Sequence, residues 1–151
     1  MVKLTVYGYR LGERNEVEFL PFKRCLLLPE TPGKAVEYLR PTMANLLEYL
    51  LAHAVGEIVP DKTLQIQVWE NNGLSCSSQR LWQVMHNLKN KLALVGLPDN
   101  FIMRITGKGY MIANEMVMEL YCKRRQFSKN GAEYPLQRTK TFESSMSRMI
   151  E

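Results

Sequence analysis

Gln83, His86, Asn87 and Asn90 fall on one side of a helical wheel within the stretch Gln79-Arg80-Leu81-Trp82-Gln83-Val84-Met85-His86-Asn87-Leu88-Lys89-Asn90-Lys91-Leu92. Side-chain amides can hydrogen-bond adenine N6 and N7 bidentately, and each good pair contributes about 1–3 kcal/mol of discrimination between bases. Gln79 opens the same face, and Arg80, Lys89 and Lys91 flank it. Cations in those places attract phosphates whatever the sequence. A solvated helix face is the plainer reading of the same residues.

A second group follows a short loop later. Ile105-Thr106-Gly107-Lys108-Gly109-Tyr110 reads as a glycine-pinned β-hairpin, Gly107 and Gly109 permitting a tight turn and Lys108 sitting at its tip. Arg104 and Tyr110 stand on its strands, and with Lys108 they sit where a wing would touch DNA backbone or minor groove. The Gly-Lys-Gly run lacks the spacing of a phosphate-binding loop, which also needs a helix after it. A helix that can enter a groove, beside a basic hairpin that can lie along it, is the minimal equipment of a winged-helix DNA reader.

The rest of the chain supplies elements to position these two. Leu81, Val84, Met85, Leu88 and Leu92 recur at i, i+3, i+4, i+7 and i+11, so this helix has a buried seam opposite its amide face. Ser77 or Ser78 can cap it, and it runs to about Val95 before Gly96 and Pro98 stop it. A first helix starts at Pro41, carries Leu46, Leu47, Leu50, Leu51 and Ala54 on one face, and ends at Gly56. Asp61 is read as the N-cap of a second helix, with Leu64, Val68 and Trp69 facing inward and Asn71-Asn72-Gly73 closing it. Residues 3–39 read as short strands punctuated by Pro21, Pro29 and Pro32-Gly33. The predicted order is antiparallel sheet, three helices, hairpin: an α+β winged helix-turn-helix.

At this point the residues resemble a family. Leu46-Leu47-x-x-Leu50, Gly56-Glu57-Ile58-Val59 leading to Leu64-x-x-x-Val68-Trp69, Met85-x-x-Leu88-Lys89-x-Lys91-Leu92 and Ile105-x-Gly107-x-Gly109-Tyr110 together resemble the winged helix-turn-helix output domain of OmpR/PhoB-type transcription regulators. The match covers about residues 20–112. The resemblance implies a four-stranded N-terminal sheet, three helices and a C-terminal hairpin. It also implies that the third helix, about 78–95, enters the major groove of double-stranded DNA while the wing, 104–112, meets the minor groove or backbone. Carried over residue by residue, the groove positions are Gln83, His86, Asn87 and Asn90. Lys89 and Lys91 stand where Arg or Lys is usual, and Lys108 is the wing-tip equivalent. In such proteins the loop here numbered 71–78 can contact RNA polymerase, which makes Leu74 a candidate contact.

Two departures bear on this expectation. About 39 residues precede the first helix and are taken up by the sheet, so we expect a free-standing regulator without a phosphoacceptor receiver domain. The third helix is also poorer in arginine than is usual, so dimerisation on repeated sites or the basic tail would have to supply affinity.

Charge is placed accordingly. The net value is +5, but residues 78–110 hold five Lys+Arg against one acidic residue, and residues 123–151 hold seven against three. That distribution suits a polyanion. The expected division is a DNA-binding domain over 1–112 and a basic extension over 113–151. For the extension, dimerisation, a DNA arm and disorder all stay open.

Other chemistry finds little support. Cys25, Cys76 and Cys122 lie about fifty residues apart, with no CxxC pair and no Cys/His cluster, so neither zinc nor a disulfide scaffold is expected. His53 reads as a surface or boundary residue, Trp69 as core, and Trp82 as either a core margin or a protein contact. Glu13, Glu16 and Glu18 read as a solvated loop rather than paired catalytic carboxylates. The expectation is a non-enzymatic bacterial regulator, without cofactor, metal or membrane segment, in the cytoplasm. Two rival expectations stand beside it: a winged-helix module that binds another regulator and has no DNA affinity, and an enzyme or small-molecule sensor whose site the sequence does not show.

Overall fold

The computed structural model describes residues 3–29 and 36–124, in two compact units: 8–118, and 3–7 with 119–124. In the larger unit the second half of β1 (Lys3–Leu11) pairs antiparallel with β2 (Val17–Leu20), β2 with β3 (Cys25–Leu27), and β3 with β4 (Val36–Tyr38). Side chains alternate across a strand, so Tyr9, Leu11, Val17, Phe19 and Leu26 share one buried face. Arg10 and Glu18 face each other on neighbouring strands and form an ion pair at 3.2 Å. Glu18 therefore belongs to a strand, not to the acidic loop expected from the sequence. The alternation of Val17 and Phe19 about it is what commits it.

Three helices follow. α1 (Pro41–His53) begins with proline at its first position and buries Met43, Ala44, Leu46, Leu47, Leu50 and Leu51. It stops at His53, short of the Gly56 expected to end it. The Gly56 N–H instead donates to the Ile112 carbonyl at 2.8 Å. α2 (Asp61–Leu64) continues through one wide turn, Gln65–Trp69, and one tight turn, Glu70–Asn72. Leu64, Val68 and Trp69 are buried, as their spacing predicts. Pro60, not Asp61, is the cap residue: Asp61 is already helical and makes no capping bond. Its carboxylate is used elsewhere.

α3 (Ser78–Leu94) is capped by Ser77, whose Oγ accepts from the Arg80 N–H at 3.0 Å. A cap of this kind stabilises by about 1 kcal/mol. Its seam of Leu81, Val84, Met85, Leu88 and Leu92 is buried.

The hairpin of β5 (Ile102–Ile105) and β6 (Gly109–Ile112) is held at its base by the segment between α1 and α2. Ile112 donates to Ala54 at 2.9 Å, Val59 donates to Tyr110 at 2.9 Å, and Tyr110 donates to Val59 at 3.0 Å. This pairing explains Gly109. A Cβ there would lie 2.1 Å from the Val59 carbonyl oxygen, and its φ is +153°. Gly107, by contrast, makes the turn at φ +76° with open space around it. The two glycines expected to share one role therefore have different ones: Gly107 turns the chain, and Gly109 lets two backbones meet.

In the smaller unit, residues 3–7 of β1 lie beside β7 (Val117–Arg124). The extension expected from 113 opens with a tight turn, Asn114–Met116, and continues into this strand. In the larger unit, the Met116 carbonyl accepts from the Gly12 N–H at 2.8 Å. The basic residues Arg125, Arg138, Lys140 and Arg148 lie outside the described residues.

Candidate nucleic-acid interface

Burying the seam of α3 leaves Gln79, Arg80, Gln83, His86, Asn87 and Asn90 exposed together on its outer face. Among the described residues none of these six side chains is held by a hydrogen bond, and only His86 makes a ring contact. That ring stacks on Trp82 one turn earlier, with centroids 5.0 Å apart and planes 5° from parallel. Trp82 is 60% exposed, so it is neither core nor core margin. The amide face therefore has an aromatic flank that the spacing alone did not reveal.

The two lysines at the end of this helix separate. Lys89 turns toward the hairpin and is half-buried. Lys91 turns the other way, to Glu37 of β4, with its Nζ 3.1 Å from the carboxylate. Expected as a phosphate ligand, Lys91 is an anchor between helix and sheet in this structure. Its neighbour at i−2 keeps the site's charge.

The hairpin contributes unequally too. Lys108 is exposed at the tip, its N–H bonded to the Ile105 carbonyl at 2.9 Å and its ammonium left to solvent. Arg104 is occupied. Its Nη1 lies 2.6 Å from Asp61 Oδ1, and its guanidinium sits 4.8 Å from the centre of the Tyr110 ring. The bond to Asp61 raises the Arg104 pKa further above its ordinary value, so the charge is permanent. Burial pushes the Tyr110 hydroxyl up as well, keeping it neutral. Trp82, His86 and Lys89 on one side, and Arg104, Tyr110 and Asp61 on the other, wall a cleft of about 270 Å³ between α3 and the hairpin.

Residues 33–112 match the family model described as "Transcriptional regulatory protein, C terminal", which is more than half the chain. The chain belongs to this family. It is a DNA-binding transcription regulator of the OmpR/PhoB type, with an α+β winged-helix fold. The fold is similar to the DNA-binding domain of Escherichia coli CadC, at 18% identity over 78% of this chain and all of that one, with a TM-score of 0.61. It is also similar to the C-terminal domain of the nisin resistance regulator NsrR, a lantibiotic response regulator, at 22% identity over 65% of this chain and 92% of that one, with a TM-score of 0.52. At these identities the likeness speaks for the fold. No curated protein matches the sequence.

Of the regulator's remaining candidates, His53 is exposed and packs its ring 4.3 Å from Tyr49. Burial pushes the Cys25 and Cys76 thiols up, away from the reactive thiolate. Among the described residues no three His, Cys, Asp or Glu side chains gather to hold a metal, and no helix is long and apolar enough to cross a membrane.

Proposed function

We propose that this regulator reads specific sequences in duplex DNA with the outer face of α3 in the major groove and the hairpin along the adjoining minor groove or backbone. Gln79, Gln83, His86, Asn87 and Asn90 face the bases, and Arg80, Lys89 and Lys108 face phosphates. The carrying observation is the continuous exposed amide face, set above a fully buried seam and beside a cation-tipped hairpin. Amides discriminate between base edges in the major groove, whereas lysines add attraction common to all sequences. Lys91 and Arg104 are paired with Glu37 and Asp61 in the free protein. Leu74, 48% exposed in the loop between α2 and α3, supports RNA polymerase as a further partner through 71–78. Pairs of subunits on repeated sites would make up for the few arginines. The function is binding rather than catalysis, in the bacterial cytoplasm.

Selection of bound duplexes from a random pool tests this reading. A repeated motif is expected, and its own upstream region should show a footprint with the same spacing. Recovery of no preferred sequence would remove base reading. No DNA binding at all would leave the protein-interaction module in its place.

Lys108→Ala gives a second check. Binding to all duplexes should weaken alike, and the slope of log K against log salt should fall by about one unit. A loss confined to certain sequences would contradict the phosphate role.

A further inference from the structure

The cleft between α3 and the hairpin has a shape that the placement of bases and phosphates just described does not use. If the helix lies in the major groove and the hairpin along the next minor groove, one sugar–phosphate strand separates the two. That strand must pass between the helix and the hairpin, which is where the cleft runs. Its walls match such an occupant. Lys89 and Arg104 supply cations, and the indole of Trp82 offers a flat apolar surface next to the His86 ring. One residue is out of keeping: Asp61, a carboxylate in a site for an anion, already bonded to Arg104.

We propose that this cleft seats one sugar–phosphate unit of duplex DNA, with Trp82 against the deoxyribose and Arg104 exchanged from the Asp61 carboxylate to the phosphate. The inference rests on the DNA-reading placement of α3 and the hairpin. The exchange is energetically accessible because the Arg104–Asp61 pair is surface-exposed, its side chains 41% and 38% accessible. Exposed pairs of this kind contribute little to stability. A phosphate contact also releases a condensed counterion, which the internal carboxylate cannot do. Asp61 is then an internal competitor that sets an upper limit on affinity. Sugar and phosphate are the same at every step of a duplex, so the cleft contributes affinity and register, not base preference.

The test uses the full chain with the selected duplex and with a scrambled duplex of equal length. Asp61→Asn should tighten binding to both, by up to about five-fold at moderate salt, with little change in the salt slope, since Arg104 meets the phosphate in either protein. In an Arg104→Ala background the same change should give little. Trp82→Ala should weaken both duplexes by a similar factor. The chain has two tryptophans, and Trp69 is 2% exposed against 60% for Trp82, so acrylamide quenching reports on Trp82 and should fall on DNA binding. Unchanged or weaker binding by Asp61→Asn, in a protein that still binds DNA, overturns the exchange while leaving the DNA reading standing. An equal gain without Arg104 overturns it as well, by showing simple relief of repulsion. A Trp82→Ala loss confined to the selected duplex would make Trp82 a base reader and remove the sugar seat. Failure of the unaltered protein to bind either duplex would bring down both this inference and the reading beneath it.

Discussion

Replacing His86, Asn87 and Lys89 together with alanine is expected to lower affinity for the selected site at least about thirtyfold. The figure follows from two base contacts of about 1–3 kcal/mol each, where 1.4 kcal/mol is tenfold. Binding to scrambled DNA should fall by a few-fold, since Lys89 alone of the three acts on phosphate. The ratio between the two losses is the informative quantity: a groove assignment requires specificity to collapse, not merely affinity. The fold should persist, because His86 and Asn87 are exposed and Lys89 half-buried, outside the seam of α3. The loss of the His86–Trp82 stack costs about 0.5–1.5 kcal/mol at most. Gel-shift titrations of both duplexes, alongside a thermal melt, measure all of this. Unchanged binding to the selected site would sink the assignment of α3 to the major groove.

Gly109→Ala is expected to be the most damaging single-methyl substitution in the hairpin, costing about 3 kcal/mol or more. Two effects add. The new Cβ would sit 2.1 Å from the Val59 oxygen, 2.7 Å from the Val59 carbonyl carbon and 2.9 Å from the Pro60 Cα, all backbone atoms that cannot swing aside. The φ of +153° is also one that a residue with a side chain rarely adopts. Either the strand pairing with Val59 breaks or α2 is pushed away from β6. Gly107→Ala is the matched control, with a positive φ but nothing within 4 Å. It should cost only about 1–2 kcal/mol. Urea unfolding of the two variants separates clash from strain. Equal midpoints would mean that the close approach at Val59 has no energetic weight.

Much of this architecture could be read from residue order. A proline at the start of α1, the serine cap and the 3.6-residue seam of α3, and the glycine turn are all local signals, and each stands where its chemistry demands. Long-range partners left no such trace. Nothing in the spacing of Lys91 announces Glu37, which lies on a strand before α1, and nothing near Arg104 announces Asp61. Asp61 misled because an acidic residue before an apolar run has the composition of a cap. Only the fold shows that Pro60 takes that place and frees the carboxylate for the hairpin. Trp82 was ambiguous for a related reason: it stands next to the buried Leu81 in sequence, yet it rotates out of the seam to lie on His86. The strand Val117–Arg124 carries no such local signal, because its residues alternate weakly and it pairs with β1, more than a hundred positions earlier.

The way the hairpin is fastened bears on how such a regulator can be altered. Its base is tied by backbone bonds to Ala54, Gly56 and Val59, so it cannot pivot without breaking pairing that involves the ends of two helices. Its far end is tied by the Lys108 N–H to its own Ile105. How far the terminal cation extends is therefore a matter of chain length at 106–108, not of swing. Residues added or removed there should retune the distance at which the protein takes hold of a duplex without disturbing the helix that reads it, making the tip an exchangeable spacer on a rigid mount.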